Sequence, residues 1–560
     1  MEKSITFVLA LFLFPSLCQA QVIQLPPPLI TQNSVEICLN SRYSQHSLRG
    51  TATNQQIGNI LWAAAKAPVT GAHRNIYVAT PTATYLYDPN NHTMTWHSNE
   101  TRDDGAFAVM YESELDFDTG VSFMPALLAS VSLCNSTESP VASCPKGLGY
   151  PKARLIFGVQ SVEALTTNLY VHSSIPEGQP SWLPDPCTAG NNSLEEVLAN
   201  LKYVSNFAQT NLTPQQTSQI LWAGYGCTPH TPTGKVGLTV PSAWANYYLT
   251  RSIYLMNENG TFRYNNRNPA TNLSTRDHRL EDLSSTGGRG REQSGAEDDQ
   301  QPVDIRQSLR SAITGLPQAP AYVILCLDSS YVGQEYPALE VGFVAGNMLI
   351  QASAIDLGCH FKSNLTSDEK SVIQNLTRIP SSHVPQAIVS IGSVEATVSI
   401  SVVFQSDVRT DTFGMLPLTI AFFTSGADAL NDTPVYELNL ATAKSVVDNV
   451  AVYEATGIAP GTYDITVIGS STLMNLKRNI DVASPTTSVN MGSLLAGNAN
   501  RDSIINLDDY VVLSSSWMSS AGRPEYDSRA DFDRNGIINI TDLSLMSANW
   551  LKTSPIEISP

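Results

Sequence analysis

Hydrophobic and polar positions alternate along residues 405–490 in short runs that are separated by Gly, Pro and Asn. Alternation with a period of two is typical of strands that bury one face. The pattern therefore predicts an antiparallel β-sandwich over 401–492. Its predicted strands are LPLTIAFFTS, VYELNLAT, AVYEAT, TYDITVIG and NIDV.

A longer apolar segment, LEVGFVAGNMLIQASAIDLG (Leu339–Gly358), has the length and continuity of a buried helix. Its polar residues Glu340, Asn347 and Gln351 form one narrow stripe, and we interpret Glu340 and Asn347 as satisfying buried backbone groups. Gly342 and Gly346 flatten another face and favour close approach of a second helix. Around this segment, SIYLMNENGTFRYN predicts a hairpin, and QAPAYVILCLD and QAIVSIG predict buried strands.

One internal repeat organises the first two thirds of the chain. The segment NSRYSQHSLRGTATNQQIGNILWA, from Asn40, aligns without gaps on NLKYVSNFAQTNLTPQQTSQILWA, from Asn200, and Trp62 and Trp222 fall in register. A period of 160 residues is much longer than a solenoid unit. The repeat predicts an α+β fold over 38–393, built from two copies that pack as a pseudo-dimer within one chain.

Charge and the N-terminus indicate the compartment. The chain opens MEKSITFVLALFLFPSLCQA, which predicts a signal peptide over 1–20, and no later segment is long and apolar enough for a membrane anchor. A net charge of −18 argues against nucleic acid as a partner. Together with N-x-S/T sequons such as Asn91 and Asn259, these features predict a secreted, extracellular glycoprotein.

The remaining boundaries follow from composition. Cysteines occur only up to Cys359, and Cys134 and Cys144 are the predicted local disulfide. The odd count after removal of the signal peptide leaves at least one thiol free or in an intermolecular bond. Residues 277–304 are charged and Gly-rich, which predicts a disordered insertion. We therefore expect five segments: 1–20 signal peptide, 21–180 first copy, 181–400 second copy, 401–492 β-sandwich and 493–560 C-terminal module.

Two twelve-residue loops near the C-terminus carry oxygen donors at the spacing that calcium requires. The second loop, DFDRNGIINITD, has the turn glycine Gly536, whereas the first loop, NANRDSIINLDD, has Ser503 there, and we expect strain and weaker binding at that first loop. Each loop leads into a predicted helix. The expected calcium ligands are Asp531, Asp533, Asn535, the Ile537 carbonyl, Asn539 and Asp542 in the second loop, and Asn498, Asn500, Asp502, the Ile504 carbonyl, Asn506 and Asp509 in the first.

The two loop–helix repeats, thirty-three residues apart, resemble a type I dockerin over roughly 493–552. The resemblance implies two bound calcium ions and a cohesin-type partner on a scaffold or cell surface. The run GIAPGTYDITVIG is similar to β-sandwich modules that often precede dockerins, which implies a spacer role for 401–492.

The second copy resembles the nitroreductase-like flavoproteins, in particular the branch that oxidises azoline rings in peptides. The resemblance rests on Pro-Ser-Ala within TVPSAWANYY, on the E-x-G-x-x-x-x-N helix, and on the order of strands. It implies FMN bound between two subunits. The implied contacts are Arg42, Ser44 and His46 from the first copy and Pro241, Ser242 and Ala243 from the second.

These resemblances together imply a secreted FMN-dependent oxidoreductase held by its dockerin on a cohesin-bearing surface. His46 stands in place of a permanent cation, and no Arg or Lys directly follows the last strand of the second copy, after Gly392, to complete the phosphate contacts. These departures leave a second hypothesis open: a nitroreductase fold that lost its cofactor and serves as a binding or structural module. A third is a polysaccharide-degrading glycoside hydrolase, the class that most often carries dockerins, although no paired-carboxylate signature appears.

Overall fold

A computed structural model describes most of the chain from residue 22 onward. The predicted signal peptide, His46 and Cys134 lie outside the described residues, so the predicted bridge to Cys144 is not tested. The described ranges are 22–45, 48–69, 74–101, 105–112, 116–133, 141–146, 153–159, 183–230, 235–267, 276–283, 304–405, 417–447, 449–483 and 486–559.

The first unit (residues 22–159) is one antiparallel sheet with helices on it. The strand order is β1-β4-β3-β2-β5-β7-β6, and every pair in it is antiparallel. Helix ends follow the sequence, because Thr53 and Gln56 form a reciprocal cap at the start of α2. The elements are β1 (Val22–Gln24), α1 (Val35–Ser41), α2 (Asn54–Ala64), β2 (Ile76–Ala79), β3 (Thr84–Asp88), β4 (Thr93–Ser98), β5 (Phe107–Tyr111), α3 (Phe117–Ser132), β6 (Val141–Lys146) and β7 (Ala153–Val159).

The second unit (residues 183–393) has the same kind of architecture. Its sheet, in the order β10-β9-β8-β11-β13-β12, is also antiparallel throughout. The predicted hairpin, buried strands and helix are confirmed, although the helix ends at Ala354 and β12 follows. The elements are α4 (Leu194–Ala199), α5 (Pro214–Tyr225), β8 (Ile253–Asn257), β9 (Gly260–Arg267), β10 (Arg276–Asp282), α6 (Arg306–Ala312), β11 (Ala321–Asp328), α7 (Glu335–Ala354), β12 (Leu357–Lys362), α8 (Ser367–Thr377) and β13 (His383–Ser393).

The two units meet through their long helices α3 and α7, which occupy corresponding places in the two halves. Gly120 and Gly342 lie at the crossing: a Cβ on Gly342 would fall 2.1 Å from the Phe117 carbonyl oxygen and 2.8 Å from the Gly120 Cα. Only residues without a Cβ allow this approach. The close helix contact expected from Gly342 and Gly346 is therefore present, and its partner is the helix of the other unit.

The sandwich (residues 396–494) consists of two sheets, in the orders β17-β18-β14-β21 and β16-β15-β19-β20-β22. Two details differ from the prediction. Strand β14 crosses the expected boundary at residue 400, and β14 pairs with β21 in parallel, so the sandwich is mixed. Its strands are β14 (Ala396–Phe404), β15 (Leu418–Thr424), β16 (Tyr436–Leu440), β17 (Ser445–Val447), β18 (Val450–Ile458), β19 (Gly461–Gly469), β20 (Asn475–Val482) and β21 (Thr486–Leu494).

The C-terminal module (residues 495–559) contains the two loop–helix repeats, with helices α9 (Leu507–Ser515) and α10 (Ile540–Ala548). A last strand, β22 (Ile556–Glu557), leaves the module and pairs in parallel with β20 of the sandwich. The sequence gives no hint of this strand, because two residues are too few to show a period. The main chain thus ties the module to the sandwich at both ends.

The predicted disorder over 277–304 is wrong at its start. Residues up to Asp282 belong to β10, and the remainder from 284 to 303 lies outside the described residues. Polar side chains are buried here because they have partners: Asp277 pairs with Arg279 at 2.9 Å, and the His278 ring contacts the hydroxyls of Ser218 and Tyr264 at 2.7 and 2.9 Å.

Candidate functional site

Arg42 of the first unit contacts the segment of the second unit that leads to Pro-Ser-Ala. It follows the last residue of α1, and its side chain is buried. Its Nε donates to the Thr239 carbonyl at 3.0 Å, and its Nη2 donates to the Leu238 carbonyl at 3.2 Å. Residues that lie about two hundred positions apart in sequence thus share one surface.

The neighbouring residues of the first unit reinforce this junction. The Tyr43 ring packs on the His230 ring with centroids 4.8 Å apart, and His230 Nε2 lies 3.1 Å from the Ser41 carbonyl oxygen. Ser44 is half-buried beside them. His46, the remaining predicted contact of the first unit, lies outside the described residues.

Pro241 and Ser242 form an irregular segment that leads into a single 3-10 turn, Ala243–Ala245. The Ser242 hydroxyl accepts from the Tyr247 amide at 2.7 Å, and Pro241 is buried. Left-handed φ angles follow at Trp244 (51°) and Tyr247 (54°), a conformation that L-residues rarely adopt. Such strain persists only where surrounding contacts hold it, and it is frequent at binding sites.

Glu340 of α7 lies fully buried behind this segment. The Tyr225 hydroxyl donates to its Oε1 at 2.5 Å. Burial raises the pKa of Glu340 to about 7, although contacts with Ser242, Tyr225 and the amides of Tyr248 and Leu249 lower it. The carboxyl group is therefore poised to hold or release a proton near neutral pH.

The other two residues of the polar stripe bind within the protein, as the sequence predicts for Asn347. Asn347 donates to the Thr239 carbonyl at 3.3 Å, so it and Arg42 support the same carbonyl. Gln351 donates to Glu36 of the first unit at 2.6 Å. The Asn347 contact holds the segment before Pro241, and the Gln351 contact holds the two units together.

Arg267, at the end of β9, is the site residue that the sequence analysis missed. It is 1 % exposed, and its guanidinium nitrogens have no oxygen acceptor among the described residues; the Cys227 thiol interacts with it, and Arg267 lowers the pKa of that thiol against the larger effect of burial. Its nearest aromatic neighbour is the Tyr247 ring, 4.2 Å away. The sequence shows only that Asn265, Asn266 and Arg267 are three consecutive polar residues, which breaks an alternation of period two; that all three are buried is visible only in the fold.

A buried guanidinium without an oxygen acceptor carries a large desolvation cost. It lies beside Tyr247, whose amide donates to Ser242 and whose hydroxyl is influenced by the charges of both Arg267 and Arg42, so an anionic group of a ligand would find a charge partner here. On this chemistry the residues present fit FMN, whose phosphate needs a fixed cation and whose ring needs hydroxyl and main-chain contacts.

The second calcium-type loop brings three carboxylates together. Oxygens of Asp531, Asp533 and Asp542 all lie within 4.8 Å of one another, and Asp531 and Asp542 are buried. Burial and the neighbouring acids raise the pKa of Asp533 to about 6, and burial raises the pKa of Asp542. Because like charges this close destabilise one another, the donor set fits a divalent cation.

The other predicted ligands of that loop shape it. Asn535 Oδ1 accepts from the Ile537 amide at 2.8 Å, and Asn539 Oδ1 accepts from the Thr541 amide at 2.7 Å as the cap of α10. Gly536 has a φ of 82°. The predicted sharp turn is therefore present at Gly536.

The first loop repeats this path with fewer charges. Asp509 accepts from the amides of Asn500 and Asn506, and Asp502 accepts from the Ile504 amide. Asn498 is buried, and no described residue donates to its Oδ1, so an acceptor is available where a cation ligand is expected. The strain expected at Ser503 is wrong: the left-handed residue in this loop is Arg501 (φ 62°).

No protein-family model and no curated protein matches this chain. Solved structures with partial similarity include a putative nitroreductase from Anabaena variabilis, at 11% identity and a TM-score of 0.42, over 67% of this chain and 92% of that one. Another is a putative nitroreductase in complex with FMN from Desulfovibrio desulfuricans, at 13% identity and a TM-score of 0.23, over 36% of this chain and 87% of that one.

A third similarity is to an interface mutant of a type II cohesin–X–dockerin complex from Acetivibrio cellulolyticus, at 17% identity and a TM-score of 0.23, over 28% of this chain and 97% of that one. All three TM-scores lie below 0.5, so the proposals that follow rest on the residues of this chain. No helix in the described ranges is long and apolar enough to cross a membrane.

Proposed function

We propose that the two units form one intrachain pseudo-dimer with a single FMN site, and that the protein is a secreted oxidoreductase of the nitroreductase type. The observation that carries the proposal is the contact of Arg42 in the first unit with the main chain just before Pro241 in the second. A site shared in this way needs both units, as the implied subunit-bridging site does.

Different residues of the chain would bind different parts of the flavin. Ser242 and the main chain of Pro241–Ala243 would hold the flavin ring, and Arg267 would take an anionic group. A bound flavin would supply hydride exchange at its N5. Glu340, through its carboxyl oxygens, would hold the proton that accompanies this chemistry, because its pKa of about 7 allows both protonation states.

We propose that the C-terminal module is a dockerin that holds two calcium ions, more tightly in the second loop, and binds a cohesin-type module outside the cell. The three clustered carboxylates of the second loop support this proposal. Neutral Asn498 in place of a carboxylate gives the first loop the weaker site. The sandwich then acts as the spacer between the dockerin and the first and second units, which we call the flavin units.

A second function is favoured by the bonding of Arg42. Two of its donors already serve backbone carbonyls, so Arg42 also fits a purely structural role that ties the units together. In that case the flavin units would be a binding or structural module.

Flavin retention separates the two functions. The purified full chain should be yellow, and Arg42→Ala and Arg267→Met should each lose the flavin, because a buried phosphate without a cation costs several kcal/mol, on the order of a lost charge-assisted contact. Lys202→Ala is the matched control, since Lys202 holds the repeat position of Arg42 but pairs with Asp356 at 2.7 Å.

Measuring the stability of the variants separates loss of flavin binding from loss of flavin through unfolding. Arg267→Met removes an unpaired buried charge, so the cofactor-free protein should be no less stable than the original chain. Flavin loss in that variant then reports on binding rather than on unfolding. A colourless protein that ignores added FMN would support the structural module instead.

A further inference from the structure

Arginine occupies the fourth position in both calcium-type loops, as Arg501 in the first and Arg534 in the second. Both residues have left-handed φ angles, of 62° and 53°. Arginine has no intrinsic preference for this conformation, so contacts elsewhere must hold it.

Both side chains reach the same residue of the sandwich. Arg501 Nε donates to the Ser470 carbonyl at 3.1 Å, and Arg534 Nη2 donates to the Ser470 hydroxyl. Ser470 lies in the turn between β19 and β20. Two loops related by an internal repeat therefore converge on one turn of the neighbouring domain.

The same turn also forms hydrogen bonds with the start of the first loop. The amides of Gly497 and Asn498 donate to the Ser471 carbonyl at 3.1 and 3.2 Å, and the Asn498 side chain donates to the Thr472 carbonyl at 3.4 Å. Asn498 is also the first predicted calcium ligand of that loop. A ligand position and an interdomain contact thus belong to one side chain.

We propose that the turn 470–474 is a calcium-dependent joint, in which cation binding to the two loops locks the C-terminal module onto the sandwich. The inference rests on the proposed calcium binding. Arg534 stands between the ligand positions Asp533 and Asn535, so its path to Ser470 is set by how tightly that loop is wound. Arg501 stands between Asn500 and Asp502 in the same way.

A separate contact explains why the module stays attached without the joint. Gln405 of the sandwich accepts from the Ala496 amide at 3.0 Å and from the Asn549 side chain at 2.6 Å, and neither residue is a predicted ligand. The joint therefore controls the rigidity of the connection, and with it the orientation of the flavin units relative to a bound partner.

Thermodynamic linkage makes the joint measurable. If calcium strengthens the contact with Ser470, that contact must strengthen calcium binding by the same factor. Ser470→Ala removes the hydroxyl that accepts from Arg534 and leaves the carbonyl that accepts from Arg501. Ser471→Ala is the matched control, because Ser471 contacts the first loop through its main chain.

Calcium titration calorimetry on the full chain tests the inference. We expect Ser470→Ala to raise the calcium dissociation constant of the second loop by about threefold to tenfold, the effect of one charge-assisted hydrogen bond that is only partly coupled to binding. Ser471→Ala should leave both constants within about twofold, the range usual for a substitution that breaks no bond. Equal constants in the two variants would overturn the joint.

Hydrogen exchange gives a second reading on the unchanged protein. Calcium should slow exchange at the amides of Gly497 and Asn498, which donate across the joint, by comparison with the protein in chelator. Exchange there that does not respond to calcium would overturn the joint even where calcium binds. A chain that takes up no calcium in the titration would remove the calcium proposal itself, and the two failures are therefore distinct.

Discussion

At the scale of single residues, the site is defined by charged groups that the sequence pattern does not mark as unusual. Glu340 was expected to satisfy buried backbone; its contacts with the amides of Tyr248 and Leu249 agree with that expectation, whereas its bond with Tyr225 joins two side chains. Its pKa of about 7 adds a property that depends on burial and neighbours, which no local pattern encodes. Arg267 was missed for the same reason, since only the fold shows that it is buried.

The raised pKa of Glu340 gives the paired units a defined pH dependence. Between its ordinary value of 4.5 and about 7, the folded chain keeps a proton that the unfolded chain has lost, so stability falls as pH rises through this window. At about 1.4 kcal/mol per pKa unit, the loss is roughly 3 kcal/mol.

Glu340→Gln, which keeps the acid's neutral form at every pH, should abolish this fall. Denaturant unfolding of the full chain at pH 5 and pH 8 is the measurement. Glu335→Gln serves as control, because Glu335 lies exposed at the start of the same helix. If the free energy of unfolding still fell equally between pH 5 and pH 8 in Glu340→Gln, the pH dependence would belong to other titrating groups.

At the scale of elements, strongly periodic segments were predicted well and unpatterned ones were not. The long apolar segment is α7, and the alternating runs of the sandwich are strands. The errors lie where tertiary partners override composition: residues 277–282 are charged but pair within β10, and β14 and β22 find parallel partners that only the folded chain supplies. Ser503 is not left-handed although Gly536 at the same loop position is, whereas the fourth residue, Arg501 or Arg534, is left-handed in both loops.

The two calcium-type loops allow a prediction about charge. Asn498→Asp places a carboxylate at the first ligand position of the first loop, where the Asn498 acceptor has no described donor; it also removes the amide donor to the Thr472 and Asp502 carbonyls, a loss that the added ligand charge must outweigh. We expect calcium to bind that loop about tenfold more tightly, roughly 1.4 kcal/mol, because a hard cation gains from each added ligand charge. Calorimetry that resolves two steps provides the measurement.

Asn490→Asp is the control for that variant. It makes the same change in net charge on the exposed surface of β21. An equal increase in calcium affinity in both variants would mean that the overall negative charge of the protein, rather than the ligand set, determines the affinity.

At the scale of the whole molecule, the internal repeat predicts two copies that pack on each other, but neither helix α3 nor the side chains that the packing brings together. Arg42 and Ser242 belong to different units, and Gln351 reaches Glu36 across the same junction. A flavin site built in this way requires the junction to be intact. A substitution that disturbs the contact between α3 and α7 should therefore weaken flavin binding, although it changes no residue of the site.

Gly342→Ala and Gly346→Ala test that dependence with the same substitution on one helix. At Gly342 the new Cβ would lie 2.1 Å from the Phe117 carbonyl oxygen, which cannot move without shifting α3, whereas at Gly346 it would meet the Met124 side chain at 3.2 Å. We expect Gly342→Ala to lower the free energy of unfolding by about 1–3 kcal/mol and to release flavin. Gly346→Ala should cost less stability than Gly342→Ala and retain flavin, because Met124 Cβ and Cγ at 3.2 Å and Val121 Cα at 3.4 Å need to shift only slightly and Ala favours the helix. If Gly342→Ala retained flavin while losing stability, the site would belong to one unit alone, and the pseudo-dimer would serve only to hold the fold together.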